Sequence, residues 1–186
     1  MGYVLETPPA SEPITLAEAK LHCRVDGTDE DVLIASLITA ARAHCENMTG
    51  SSFVTQTWRA DFPGFPGARL PLRLPKGPVQ SIISINYYDE QGSDTLLSST
   101  YYNADITEQL AKVWLAPDMD WPSVEPQADA VRVTFDAGYG DADDVPQSIK
   151  QAILLLIGAW YDDRENPAVP TAVSALLAPH TIRALA

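Results

Sequence analysis

A chain of 186 residues has room for one domain, or for one domain with an elaborated insertion. With 46% hydrophobic and 20% charged residues it can bury a core, while 12 Lys+Arg against 25 Asp+Glu leave a net charge of −13, which argues against a groove that grips DNA phosphates. Cys23 and Cys45 are too few for a disulfide framework, no charged-then-apolar leader precedes Ser11, and the longest apolar run, Ala152 to Tyr161, is half of the ~20 residues a bilayer span needs. Neither a secreted chain nor a membrane helix is expected.

The acidity is regional. Residues 1–62 carry −5, 63–88 carry +3, 89–144 carry −11 and 145–186 carry 0. A block of −11 is either a solvated surface or, in a symmetric oligomer, one shared face. The 15 prolines leave 14–62, 79–116 and 147–166 free, and uninterrupted elements belong there.

Thr15-Leu16-Ala17-Glu18 has the pattern of a capping box and predicts a helix with Ala17, Leu21 and Val25 on one stripe, ending at Asp26-Gly27. Acids at 29–31 open a second helix, in which Leu33, Leu37, Ala41 and Cys45, flanked by Ile34, Ile38 and Met48, form a broad apolar face that Gly50 ends. From Val54 the period falls to two, giving a strand to Phe62. Leu70, Leu72 and Leu74 alternate between prolines, as on an edge strand. Val79 to Tyr88 and Thr95 to Tyr102 read as a hairpin around Asp89–Gly92, and Lys112 to Leu115 and Val131 to Phe135 as two further strands. Asp143-Asp144-Val145-Pro146 then opens a helix carrying Ile149, Ile153, Leu156, Ile157 and Trp160 on one face. With Leu154, Leu155 and Ala159 it is apolar nearly all round, so it must be buried in a core or between subunits. Thr171 to Leu177 is a short helix, followed by a tail.

Chemistry-bearing patterns are sparse. The histidines His22, His44 and His180 fall on helices and in the tail, and the two cysteines read as buried thiols. Asp141, Asp143 and Asp144 lack the alternation and distal glutamate of a calcium loop and read as caps, and Gly138-Tyr139-Gly140 is too short for a dinucleotide loop. Arg69, Arg73 and Lys76, the basic cluster, suit an arm reaching an acidic neighbour better than a nucleic-acid platform. No catalytic residue, metal site or cofactor is assigned.

Five ordered segments carry a resemblance: Ile14-Thr15-Leu16-Ala17-Glu18-Ala19-Lys20 with Arg24-Val25-Asp26; Ala41-Arg42, Glu46 and Thr49-Gly50; Leu74-Pro75-Lys76-Gly77-Pro78-Val79; Val133 to Gly140 with Val145-Pro146 and Ile149; and Gly158-Ala159-Trp160-Tyr161 with Arg164-Glu165. Over about residues 12 to 180 the chain resembles the head-tail connector, or adaptor, proteins of long-tailed bacteriophages. Cys23 and Asp162-Asp163 depart from that pattern. The resemblance implies a non-enzymatic ring of about twelve subunits beneath the portal protein, extending the DNA channel towards a stopper or tail-completion protein in the virion neck, after assembly in the host cytoplasm. DNA would pass without specific binding.

The implied fold is α+β and mainly helical: a small bundle with a helical hairpin at 14–50, a β-rich insertion at 51–136, a core helix at 143–163 and a portal-docking arm at 164–186. Ile149, Ile153, Leu155, Leu156 and Trp160 are then expected in the core or a subunit interface. Val173, Leu176, Leu177, Ile182 and Arg183 are expected on the portal. Two other classes compete: a soluble acidic module for a basic partner, and a hydrolase using two carboxylates, which needs no motif.

Overall fold

Two separate apolar clusters organise the chain, and each draws on stretches far apart in sequence. The computed structural model describes residues 2–67, 70–107, 110–165 and 168–182. One cluster belongs to a sheet module, residues 2–8 with Thr55–Gly138, and the other to a helical module, residues 9–54 with 139–182.

In the helical module, α1 (Leu16–Cys23) starts at the expected capping box: Glu18 N–H donates to Thr15 Oγ1 at 3.2 Å and Thr15 N–H to Glu18 Oε2 at 2.7 Å. Those bonds hold the Glu18 carboxyl below its usual pKa, the Thr15 side chain being the leading cause. The predicted stripe needs correction. Leu21 is 81% exposed and Ala19 is the buried residue, because α1 packs on the rest of the helical core through its Ala19 side before it ends at Arg24 in the left-handed region (φ 56°).

Helix α2 (Asp31–Thr49) buries Ile34, Ile38, Ala41 and Cys45 at helical spacing, leaves Leu33 and Leu37 half-buried, and ends at Gly50 with φ 71°. Helix α3 (Gln147–Asp162) buries Ile149, Ala152, Ile153, Leu156 and Ile157, each contributing about 1.5–3 kcal/mol for a large side chain. Helix α4 (Thr171–Leu177) packs against it.

The sheet module holds eight strands: β1 (Gly2–Thr7), β2 (Gln56–Phe62), β3 (Leu72–Arg73), β4 (Val79–Tyr88), β5 (Asp94–Leu96), β6 (Tyr102–Asp105), β7 (Lys112–Leu115) and β8 (Val131–Ala137). Five form an antiparallel sheet in the order β1-β2-β8-β4-β5, and three form a second sheet, β3-β7-β6. Period-two alternation does the sorting. In β8, Val131, Val133, Phe135 and Ala137 are buried while Arg132, Thr134 and Asp136 face outward. Leu72 and Val113 of the smaller sheet close this core against Ala60, Ile85, Val133 and Phe135.

The expectation of a mainly helical bundle is therefore corrected. The described residues form four α-helices and a two-sheet module with its own core, which is α+β with the sheet as a principal body. Two strands account for the difference. β1 was not anticipated, since its six residues are all exposed and show no alternation of polarity. The segment from Thr95 to Tyr102 is not one strand: β5 pairs with β4, Leu97 is buried, and a 3-10 turn at Ser99–Tyr101 delivers β6 into the other sheet.

Candidate assembly surfaces

Helix α3 is the residue set from which an interface was expected. Ile149, Ile153 and Leu156 are fully buried in the helical module's own core, whereas Leu155 and Trp160 are half-buried. The Trp160 indole lines a cleft of about 340 Å³ with Leu33, Leu37 and Arg164, and its edge meets His44 at a ring distance of 5.6 Å. Its Nε1–H is buried without an acceptor among the described residues. Glu30 fixes the rim: it accepts from the Tyr161 hydroxyl and from Arg164 Nη2 at 2.8 Å. Tyr161 first, then Arg164, holds the Glu30 carboxyl below its ordinary pKa. The cleft thus has an apolar floor and a fixed, charged lip, which suits a protein side chain more than a reaction.

The C-terminal set divides. Val173 and Leu177, expected on the portal, are buried in the helical core because α4 lies on α3. Leu176 and Ile182 are half-buried, and Arg183 lies outside the described residues. The tail is tied down by main-chain and side-chain bonds: Ile182 N–H donates to the Thr49 carbonyl at 2.7 Å, and Ser51 Oγ to the His180 carbonyl at 3.0 Å.

His180 itself sits between Ser148 Oγ (2.7 Å to Nε2) and Tyr139 Oη (3.2 Å to Nδ1). A serine on an imidazole has the outline of a nucleophile and base, but the third partner is a phenol. Burial, with no carboxylate among its causes, lowers the His180 pKa and makes it a poorer base. The contact works as a strut that pins the tail to the first turn of α3. Sequence spacing gave no sign of it, since the partners lie 32 and 41 residues apart.

The outward face of the five-stranded sheet is polar and internally paired. Asp136 accepts from Thr57 Oγ1 at 2.8 Å and Ser81 Oγ at 3.2 Å, Arg59 bridges Asp61 (2.9 Å) and Glu6 (3.3 Å), and Arg132 meets Asp94 at 2.6 Å beneath the Tyr88 ring. Part of the acidic block is thus spent locally. Asp89 fixes its turn through the amides of Gln91 and Ser93, and Asp141 and Asp144 cap a 3-10 turn before α3. The basic-arm expectation also changes at Lys76, which is 6% exposed and lies over the rings of Tyr3 (5.6 Å) and Trp58 (5.2 Å). Arg73 is exposed and Arg69 lies outside the described residues.

Among the described residues no cluster of three or more His, Cys, Asp or Glu side chains is placed to hold a metal ion, and no helix is long and apolar enough to cross a membrane. Cys23 and Cys45 are free thiols, and burial pushes Cys45 up to about 12.

Against this background of packing surfaces, the sequence comparison is decisive: the model of the phage gp6-like head-tail connector protein family matches residues 13–112, more than half of the chain. The chain belongs to this family. No curated protein matches the connector. Solved structures do. A chain from the virion of a native gene transfer agent particle is 23% identical, with a TM-score of 0.82 over 100% of the connector and 98% of that chain. Chains from the neck of the empty particle computed with C6 symmetry (23%, 0.80) and of the native particle computed with C12 symmetry (22%, 0.77) cover the same shares. At these identities the likeness establishes the fold of the whole connector, both modules included.

Proposed function

We propose that this connector is a structural subunit of the neck of a phage-like particle, forming a ring that joins the head to the tail and prolongs the channel through which DNA passes. The observation that carries the reading is the family match over residues 13–112. The fold shared over the full chain with neck proteins solved in sixfold and twelvefold symmetric assemblies supports a ring. A charge of −13 per subunit favours a channel wall that repels DNA and lets it slide.

Subunit contacts fall to the half-buried Leu155 and to the Trp160 cleft rather than to Ile149, Ile153 and Leu156, which are spent on the core. A portal-facing surface, on the same argument, rests on Leu176 and Ile182 with Arg183 after them, while a stopper or tail-completion protein takes the opposite side of the ring. Deleting the gene in its source should leave DNA-filled heads without tails, restored by the connector supplied in trans. Complete tailed particles in the deletion strain would refute the reading.

A further inference from the structure

The five-stranded sheet is open at both ends, and the two open edges match. On one side β1 pairs with β2 alone, and all six of its residues are exposed. On the other side β5 covers only Asn86, Tyr87 and Tyr88 of the ten-residue β4, so that residues 79–84 have no strand beyond them among the described residues.

Proteins usually protect such edges with lysine, proline or inward charge. Within β1, Gly-Tyr-Val-Leu-Glu-Thr, the single charge is Glu6, paired with Arg59, and Val4 remains 48% exposed. The open stretch of β4, Val-Gln-Ser-Ile-Ile-Ser, has no charge and no proline, and Ile83 is 55% exposed. The Lys76 ammonium between Tyr3 and Trp58 keeps β1 extended along the sheet.

Direction agrees as well. Antiparallel pairing at β1·β2, β2·β8 and β8·β4 makes β1 and β4 run in opposite senses. A second copy set alongside by a ring step keeps its strand senses, so its β1 meets the first copy's β4 antiparallel, six residues against six. Two different edges form a heterologous contact, the kind that closes into rings, and the bulges at Val79/Ser81 and Ile82/Ser84 restrict the register. Twelve repeats of β1, β2, β8 and β4, with β5 in line with the next subunit's β1, would at ~4.8 Å per strand make a belt about 230 Å round, ample to enclose a DNA channel.

We propose that the edge of β1 in one subunit pairs with residues 79–84 of β4 in the next, joining the sheets of neighbouring subunits into one belt. This rests on the ring reading above. The test uses the full chain with Val4→Cys and Ile83→Cys, singly and together, and the alternative pair Val4→Cys with Ser81→Cys, whose side chains share the outward face. Within one subunit β2 and β8 separate β1 from β4 by three strand spacings, about 14 Å, too far for an intramolecular disulfide.

Mild oxidation of assembled protein should give a covalent ladder of multimers with a double variant and none with the single ones. Assemblies of wild-type mass by light scattering that give no ladder with either pair would overturn the edge pairing and leave the ring reading standing. Dimers from Val4→Cys alone would overturn it too, by placing β1 on β1. A wild-type chain that stays monomeric, alone and with portal-bearing heads, would remove the ring reading and the pairing together. As a second arm, Val4→Lys with Ile83→Lys should lower the assembled fraction at least about tenfold while thermal unfolding of the subunit is unchanged. A folded double-lysine variant that assembles normally would equally refute the proposal.

Discussion

The buried carboxylate of Glu46 accepts the backbone N–H of Phe53 at 2.9 Å, while its other oxygen takes Arg42 Nη1 at 2.7 Å. Arg42 in turn holds Glu12 through Nε at 2.7 Å. One side chain therefore satisfies the amide of a fully buried phenylalanine just beyond the end of α2 and neutralises a half-buried arginine. Glu46→Ala leaves both donors without their acceptor and should cost about 3–5 kcal/mol of stability. Glu46→Gln, which can still accept one of them, should cost less. Urea unfolding curves of the two variants give the comparison, and equal losses would mean that the Phe53 bond carries little.

Leu156 and Leu177 lie in one core, on α3 and α4. Truncating either to alanine should cost about 2–5 kcal/mol. A deletion after Glu165 removes Val173 and Leu177 together and should destabilise the helical module before any docking is assayed. A fully stable deletion variant would show that α4 is dispensable to that core.

Gly140 has φ +136°, and a Cβ there would stand 2.3 Å from Asp144 Oδ2. Gly140→Ala should lose about 1–3 kcal/mol from backbone strain alone and release the Asp141–Asp144 cap. Gly92, with φ +75° and open space around it, is the matched control: its alanine variant suffers strain without the collision. Thermal unfolding should therefore rank Gly140→Ala below Gly92→Ala.

His180 has a folded-state pKa below the ordinary histidine value, since burial disfavours the imidazolium. The unfolded chain then binds the proton more readily. The strut's stability is complete above the unfolded pKa and is lost as the pH falls from there through the folded pKa, below which the loss levels off. The urea midpoint should drop between pH 7.5 and 5.5 by more in the wild type than in His180→Gln, whose amide does not titrate. Parallel pH profiles would show that the imidazole stays as easily protonated in the fold as outside it.

Local signals are legible in the sequence. The capping box at Thr15 and Glu18, the Gly50 stop and the bounds of β4, β7 and α4 all follow from a few neighbouring residues. Facing was harder. Leu21 looks inward on a helical wheel, but a helix of eight residues has no long stripe to enforce that choice, and α1 buries Ala19. β1 could not be seen because its order comes from β2, about fifty residues away, and from Tyr3 against Trp58 at 5.7 Å. The residues that carried the family resemblance prove to be local structure: Arg42 and Glu46 hold the end of α2, Lys76 sits under β1, and Gly140 serves a collision-free turn. These positions serve the fold, which is why they say little about which surfaces assemble.

Residues 2–8 belong to the sheet module, 9–54 to the helical one, 55–138 to the sheet again and 139–182 to the helical module again, so the chain changes module three times. During synthesis β2 emerges with β1 already waiting, yet its other neighbour, β8, is about seventy residues from leaving the ribosome. Neither module exists as a continuous stretch that could be cloned alone. A protease cut between Val54 and Thr55 would leave two fragments, each owning part of both modules, α1 and α2 with β1 in one and α3 and α4 with the remaining strands in the other. The nicked protein should therefore migrate as an intact subunit on a native gel and fall apart only in denaturant.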